Sequence, residues 1–290
     1  MNDIVLTPTR RAFLAQSAAA VAASLITPAE AVAEGLTDIT DTNIYLGHSP
    51  FRTFPWATDA EVMSSLRQRR VTQAWAGAFE GLLHRDVARV NAQLVAACKR
   101  SEGLLMPVGT VNAALPNWKE DLNRCIETHG MKAVRVHPNY HGYTLQDAAF
   151  TELLEAVAEK SILLQIVAQM EDQRTQHPLV QVKAVDLKPL PDLVKRVPEA
   201  RLMMLNANAP MLSTALAGCH SLWLDYAMIE GVGGLEMLAQ TWPLEKLCFG
   251  SYAPVFYWEA ARLKLQEAGF SPTQVAAVCQ QNPKMLAAVT

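Results

Sequence analysis

The sequence has little that would cross-link a small fold or hold a structural metal. Its five cysteines are scattered, and no CxxC pair or cysteine–histidine cluster occurs, so a structural zinc site is not expected. An odd number of cysteines also argues against a full disulfide framework, and their apolar surroundings favour buried free thiols. These residues are Cys98, Cys125, Cys219, Cys248 and Cys279.

Charge is sparse and nearly balanced along the chain. Only 18% of the residues are charged and the formal net charge is −3, so nucleic acid and acidic membranes are not expected as general partners. No strand-like segment leads into GxGxxG or another phosphate-binding glycine loop, which disfavours a doubly wound, dinucleotide-binding sheet.

The first residues resemble a twin-arginine export signal. Arg10 and Arg11 are followed by Phe13 and by the weakly apolar run AQSAAAVAASLI. That run is much shorter than the roughly 20 residues that a membrane-spanning helix needs. Small residues around Ala31 and Ala33 then fit a signal-peptidase site. An ordinary amphipathic helix with two basic residues is the alternative.

The export signal, if present, divides the chain into two parts. We predict a signal peptide over residues 1–33 and a single domain over residues 34–290. The protein would then be carried to the periplasm by the twin-arginine export machinery. The sequence leaves open whether the signal is cleaved and whether the protein forms a homodimer.

After the signal, β-rich apolar runs alternate with amphipathic helical patterns. Strands joined by helical crossovers must be parallel, and eight of them close naturally into a (β/α)8 TIM barrel of the α/β class. One long irregular region, residues 170–190, follows the fifth strand and would lie on the face where barrel enzymes keep their active sites. The strand candidates are Ile39–Leu46, Gln73–Phe79, Leu104–Val108, Ala133–Val136, Ile162–Val167, Leu202–Leu205, Ser221–Leu224 and Lys246–Phe249.

Four short segments carry a family resemblance. They are DTNIYLG at residues 41–47, LMMLNAN at 202–208, FGSYAP at 249–254 and AAVCQQNPKMLA at 276–287. In their order and spacing they resemble the amidohydrolase-related (amidohydrolase 2) family of the amidohydrolase superfamily. That family contains barrel hydrolases, lactonases and decarboxylases, so the resemblance implies the same fold over residues 38–288 and a related activity.

The resemblance also implies a divalent metal, but the ligand positions differ in this chain. Asn43 and Tyr45 stand at the two histidines of the first strand, and Gln165 stands at the fifth-strand position. Asn206 replaces the sixth-strand histidine, and Tyr252 replaces the eighth-strand aspartate. Neutral amide and phenol oxygens are poor ligands for borderline transition metals. We therefore expect no metal cofactor, and we assign Asn206 and Tyr252 to substrate binding instead.

Polar residues after the first and fourth strands are further candidates. His48 and Arg52 follow the first strand and could contact the substrate, one to move a proton and one to hold a carboxylate, or they could belong to a plain surface loop. Arg135 and His137 alternate with valines, so both should face the barrel interior, and we assign His137 a catalytic role. A buried Arg135 needs a partner, and Asp225 and Glu230 could pair with it or with Arg174.

The densest cluster, QMEDQRTQHP at residues 169–178, follows the fifth strand and resembles a signature of the same family branch. Glu171 or Asp172 could act as a general base, Arg174 could bind a carboxylate, and His177 could move a proton. The alternative is a salt-bridged lid that touches no substrate. A metal such as zinc held by His137, His177 and Glu171 is a further possibility that requires this loop to fold inward.

These features support two hypotheses. The first is a hydrolase or lyase that acts on a small carboxylated or lactone-like organic acid without the usual metal of the family. The second is a non-catalytic periplasmic binding barrel, because all five metal positions are changed together. We prefer the enzyme, since arginine and histidine side chains gather at the barrel mouth.

Overall fold

The computed structural model describes residues 38–50, 52–56 and 58–288. The predicted export signal lies outside these residues, so the signal and the periplasmic location stay predictions. Within the described ranges, no helix is both long and apolar enough to cross a membrane.

Parallel strands run around the barrel in chain order, as β1–β2–β3 followed by β4 to β9. Their alternation with helices confirms the predicted α/β TIM-barrel class. The third predicted strand, residues 104–108, corresponds to β3 alone, and the short strand β4 that follows after Val108 was not predicted. The strands are β1 Ile39–Leu46, β2 Val71–Ala78, β3 Leu105–Pro107, β4 Gly109–Thr110, β5 Ala133–Val136, β6 Leu163–Val167, β7 Arg201–Leu205, β8 Trp223–Asp225 and β9 Leu247–Cys248.

Backbone hydrogen bonds join the first strand to the segment after the last one. The Thr42 N–H donates to the Phe249 carbonyl at 2.9 Å, and the Tyr252 N–H donates to the Asn43 carbonyl at 2.8 Å. Between the two sheets, the Val108 N–H donates to the Ala76 carbonyl at 2.9 Å. The carboxyl ends of all the strands therefore surround one barrel mouth.

The helices pack on the outside of the strands through one apolar face. In α5, Phe150, Leu153, Leu154 and Val157 are buried, and their spacing of three or four residues places them on one side of the helix. The helices are α1 Asp59–Gln68, α2 Val87–Lys99, α3 Trp118–Asn123, α4 Pro138–His141, α5 Ala148–Glu159, α6 Leu190–Arg196, α7 Ala209–Thr214, α8 Gly234–Thr241, α9 Trp258–Glu267, α10 Pro272–Ala276 and α11 Asn282–Ala288.

A second apolar cluster fills the barrel interior. Trp75 of β2, Leu163 of β6, Met203 of β7 and Cys248 of β9 all belong to it, as expected where inward-facing side chains of a barrel stack in layers. All five cysteines are buried and free, which confirms the prediction that they are not joined in disulfides.

Asn282 attaches the last helix to the barrel. Its side chain is 2% exposed, and Nδ2 donates to the Leu244 carbonyl at 2.8 Å and to the Leu247 carbonyl at 2.7 Å. Replacing Asn282 with alanine leaves both carbonyls without this donor, so we expect the free energy of unfolding to fall by about 2–3 kcal/mol. Urea unfolding measures the change.

The matched control is Asn139→Ala, which removes an exposed amide that donates to the Lys183 carbonyl at 2.8 Å. Because water can replace that donor, we expect a loss of at most about 1 kcal/mol. Equal losses in the two variants would show that Asn282 has no special anchoring role.

Candidate active site

A pocket opens at the carboxyl ends of the strands, where barrel enzymes bind their substrates. This mouth pocket has a volume of about 490 Å³, including its open entrance. Loops after β1, β2, β5, β6 and β9 form its walls. The lining residues are Ser49, Pro50, Phe54, Phe79, Leu82, Leu83, Tyr140, Met170, Glu171, Gln176, His177, Val180, Tyr252 and Val255.

Aromatic rings form much of the wall and floor of the mouth pocket. Phe54 stacks on Phe79 with ring centroids 5.4 Å apart, and Phe79 stacks in turn on Tyr45 at 4.9 Å. Tyr252 meets the Tyr45 ring edge-on at 5.8 Å. Flat, largely apolar walls of this kind suit a small planar ligand.

One ion pair closes the edge of the mouth pocket. Arg52 donates from Nη2 to Glu171 Oε2 at 3.0 Å and to the Thr175 carbonyl at 2.9 Å, so it joins the loop after β1 to the loop after β6. Partial burial raises the pKa of Glu171, and the charge of Arg52 opposes that rise. The carboxyl group therefore holds a proton more readily than an exposed glutamate would.

The structure brings only some of the predicted site residues together. His177 lines the mouth pocket beside Glu171 and Tyr252, and its Nδ1 accepts a hydrogen bond from the Leu179 N–H at 3.2 Å. Gln176 fixes this part of the loop, because its Oε1 accepts from the Val182 N–H at 2.7 Å. Arg52, Glu171, His177 and Tyr252 thus share one region.

Three other predicted residues lie outside the mouth pocket. Asp172 pairs with Arg174 at 2.6 Å, and the Arg174 side chain is 88% exposed. The hydrogen bonds from Arg174 lower the pKa of Asp172 to about 2. His48 is equally exposed, and its backbone N–H donates to Glu80 at 3.0 Å in a separate side pocket.

His137 lies in the barrel interior beneath the mouth pocket. Its Nε2 is 2.8 Å from the Tyr45 hydroxyl, and both side chains are fully buried. Burial, followed by the charges of His141 and Arg135, places the pKa of His137 well below its usual range. The imidazole is therefore neutral, and its Nδ1 has no hydrogen-bond partner among the described residues.

Arg135 occupies the centre of the barrel and is fully buried. It donates from Nε to Gln165 Oε1 at 2.9 Å and from Nη1 to the Ile44 carbonyl at 3.0 Å. Its guanidinium also lies 4.6 Å from the centre of the Tyr45 ring. Gly77 leaves room for the Arg135 guanidinium, because a Cβ at position 77 would lie only 2.7 Å from Nη1.

Burial raises the pKa of Asp225 and the charge of Arg135 opposes that rise, but in the described part of the chain neither Asp225 nor Glu230 forms an ion pair with Arg135. Among the described residues its partners are an amide and backbone carbonyls, including that of Trp75 at 3.4 Å. Glu230 instead pairs with Lys264 at 3.1 Å. Carbonyl oxygens can satisfy the guanidinium because it spreads its charge over five N–H donors.

Asp225 forms a buried network with two asparagines. Asn43 donates from Nδ2 to Asp225 Oδ2 at 2.6 Å and to Asn206 Oδ1 at 2.8 Å. The Asn206 N–H donates to Asp225 Oδ1 at 2.9 Å. Burial raises the pKa of Asp225 to about 7 despite these hydrogen bonds.

Two residues of the site have strained backbones. Asn206 has a φ of 58° and Tyr252 a φ of 59°, a left-handed conformation that is uncommon in residues other than glycine. Such strain persists only where surrounding contacts enforce it, and it is concentrated at functional sites. The Tyr252 hydroxyl supplies one such contact by donating to the Met170 carbonyl at 2.7 Å.

The side chains at the family's metal-ligand positions do not form a site for a divalent metal. Among the described residues, no group of three or more His, Cys, Asp or Glu side chains could hold a metal ion. Asn43 and Asn206 bond each other, Tyr45 bonds His137, and Gln165 bonds Arg135. His137, His177 and Glu171 do not form a ligand set either. The donors present do not fit a divalent metal, and the Arg135 charge opposes one.

Sequence comparison identifies the family. Residues 57–286 match the family described as Amidohydrolase. The chain therefore belongs to the amidohydrolase family, as the four motifs indicated. No curated protein matches it significantly.

Solved structures share the fold at low sequence identity. The 2,6-dihydroxybenzoate decarboxylase from Rhizobium has a TM-score of 0.69 and 8% identity, covering 87% of this chain and 99% of its own. A dihydroxybenzoic acid decarboxylase from Polaromonas has a TM-score of 0.71 and 9% identity, with coverage of 87% and 97%. A 5-carboxyvanillate decarboxylase from Novosphingobium aromaticivorans has a TM-score of 0.70 and 12% identity, with coverage of 87% and 97%. At these identities the likeness shows the fold alone.

These structures correct our expectation about cofactors. The Polaromonas and Novosphingobium enzymes were both crystallised with bound manganese, so the expectation that no metal is used is contradicted by close neighbours in fold. The side chains described above still do not fit that metal at the family's ligand positions.

Sequence reasoning missed several residues of the site. Phe79 and Tyr140 line the mouth pocket, and Tyr45 bonds His137, but none of them was assigned a role. A signal did exist for Tyr45, because it lies near the carboxyl end of a strand. Phe79 and Tyr140 lie in short turns after strands, where no periodic pattern shows which way a side chain points.

Proposed function

We propose that the protein is a hydrolase or lyase of the amidohydrolase family that acts on a small carboxylated organic acid in the mouth pocket. A lactone-like organic acid is the alternative substrate. The observation that carries this proposal is the Arg52–Glu171 ion pair at the edge of an aromatic pocket on the barrel's catalytic face.

The ion pair indicates how an acid would bind. A substrate carboxylate can replace Glu171 at the Arg52 guanidinium, which is suited to two parallel hydrogen bonds with a carboxylate. Its planar part would then lie against Phe79 and Tyr252. The displaced Glu171, whose pKa is already raised by burial, would be placed to accept or return a proton. His177 is the second candidate for proton transfer on the same wall.

Ligands of the structural neighbours support this substrate class. A 2,6-dihydroxybenzoate decarboxylase of the same fold was crystallised with 2,6-dihydroxybenzoate, and the Novosphingobium enzyme with 3-methoxy-4-hydroxy-5-nitrobenzoic acid. Each ligand is a carboxylate on a flat ring, the chemistry that an arginine beside aromatic walls would select.

The test measures binding and turnover of carboxylated rings and lactones by the full chain. We expect at least one compound to bind and to be converted. Replacing Arg52 with alanine should then raise its Kd about tenfold or more, because a charge-assisted hydrogen bond is lost. Calorimetry gives the Kd, and chromatography detects the product.

The matched control is Arg67→Ala, which removes a surface arginine that pairs with Glu102 at 3.5 Å and leaves the mouth pocket intact. Its Kd should equal that of the unaltered protein. If no compound of either class binds, or if the Arg52 variant binds as well as the control, the proposal is wrong. Binding without conversion would favour a non-catalytic barrel.

A further inference from the structure

The mouth pocket contains a hydroxyl group, that of Tyr140, whose proton has no acceptor among the described residues. We propose that Tyr140 is a catalytic residue of this site, which donates its phenolic proton to the reacting atom of the substrate, with Glu171 acting as the base where the reaction is a hydrolysis. This inference rests on the proposed function and adds a residue to it.

Tyr140 differs from the other tyrosines around the mouth pocket. Tyr45 shares its hydroxyl proton with His137, at 2.8 Å, and Tyr252 donates its proton to the Met170 carbonyl at 2.7 Å. The Tyr140 side chain lines the mouth pocket, and no hydrogen bond of its hydroxyl occurs among the described residues. Its proton is therefore free to face a ligand.

The chain around Tyr140 holds this side chain in place. It lies in α4, whose first turn follows the end of β5 directly. Asn139 donates from Nδ2 to the Lys183 carbonyl at 2.8 Å, and His141 bonds the Gly81 carbonyl at 2.9 Å. One residue before and one residue after Tyr140 are thus tied to different neighbouring loops. Such support on both sides is what a positioned proton donor requires.

Tyr140 and Glu171 are also close enough to influence each other electrostatically. Burial raises the pKa of Tyr140 to about 12, and the charge of Glu171 adds to that rise. At neutral pH the Tyr140 phenol and the Glu171 carboxyl group are therefore suited to opposite roles in proton transfer. The phenol retains a proton that it can donate, and the carboxylate can accept one.

The proton balance closes for both reaction types. In hydrolysis, Glu171 takes a proton from the attacking water as the new C–O bond forms, and Tyr140 protonates the leaving oxygen as the old C–O bond breaks. In decarboxylation, the bond from carbon to the carboxyl group breaks, and Tyr140 protonates that carbon. The tyrosinate then regains a proton, from Glu171 in the first case and from solvent in the second.

Replacing Tyr140 with phenylalanine tests the inference, because it removes the hydroxyl and keeps the ring. With a compound that the unaltered protein converts, we expect kcat to fall at least 100-fold while Kd changes less than threefold. A structural role alone would change Kd and thermal stability rather than kcat. The matched control is Tyr143→Phe, a buried tyrosine three residues further on and outside the mouth pocket, whose kcat should be unchanged.

The outcomes separate this inference from the proposed function. Unaltered kcat in the Tyr140 variant would overturn the role of Tyr140 and leave the proposed function standing. A rise in Kd that accompanies the fall in kcat would show that the Tyr140 side chain only shapes the pocket. If the unaltered protein converts no carboxylated ring or lactone, the proposed function fails and this inference fails with it.

Discussion

Replacing Arg135 with methionine is expected to lower the free energy of unfolding by at least about 3 kcal/mol. The variant leaves three buried acceptors without their donor: Gln165 Oε1 and the carbonyls of Ile44 and Trp75. Each orphaned acceptor costs about 1–3 kcal/mol. Urea unfolding at pH 7 measures the change.

The same substitution also removes the buried charge of Arg135, which by itself would raise the free energy of unfolding. Replacing buried ionic groups with apolar side chains can stabilise a protein when the partner groups are replaced as well. Here the partners are mostly main-chain carbonyls, which no substitution removes, so the loss of hydrogen bonds should dominate. If the methionine variant is as stable as the original protein, the cost of desolvating the guanidinium is at least as large as the gain from its hydrogen bonds.

A lysine at position 135 separates the charge from the geometry. It keeps a positive charge but cannot reproduce the planar fork of five N–H donors. We expect Arg135→Lys also to be destabilised, because one ammonium group cannot reach the same three acceptors. The matched control, Arg196→Met, removes a surface arginine that bonds Thr151 at 2.9 Å, and its loss should be about 0.5 kcal/mol or less.

The second large effect is a fall in stability as the pH rises from about 4 to 7. Burial raises the pKa of Asp225 to about 7 and that of Asp41 to about 6, from an ordinary value of 3.8. The folded state therefore binds these protons more tightly than the unfolded state does. Stability contributed by the protonated carboxyls is complete below pH 4 and is lost as the pH rises through 6 and 7.

The size of this effect follows from the two shifts. One pKa unit corresponds to about 1.4 kcal/mol, so each carboxyl contributes on the order of 3 kcal/mol across the window. Urea unfolding at several pH values between 4 and 8 measures it. Because other carboxylates titrate in the opposite direction, the informative quantity is the difference between the original protein and Asp225→Asn.

The Asp225 variant should lose less stability over this pH range than the original protein. The control, Asp192→Asn, removes an exposed carboxylate that pairs with Lys195 at 3.3 Å, and it should keep the original pH dependence. If both variants follow the original curve, Asp225 does not retain its proton in the folded state.

Much of the architecture could be read from local patterns. Alternating β-rich and amphipathic segments predicted the barrel, and the burial of Phe150, Leu153, Leu154 and Val157 in α5 matches their spacing. Such patterns are reliable because helical and extended chains repeat every 3.6 and every two residues. The exception is the third strand position, where a separate short strand, β4, follows β3 after Val108.

The site was less predictable, and the QMEDQRTQHP loop shows why. Asp172 and Glu171 are adjacent in sequence, yet Asp172 pairs with nearby Arg174, whereas Glu171 pairs with Arg52 from another loop. Composition marked the whole cluster as a candidate. Only the path of both loops decided which carboxylate faces the mouth pocket.

The sequence by itself determined the barrel, the family and the inward direction of Arg135. A period of two shows that a side chain faces the interior, but it does not show which side chain meets it from across the barrel. Asn43 lies in β1, Asn206 directly follows β7, and Asp225 ends β8. Their contact, and the carbonyls that surround Arg135, exist only because the tertiary structure closes the strands into a ring.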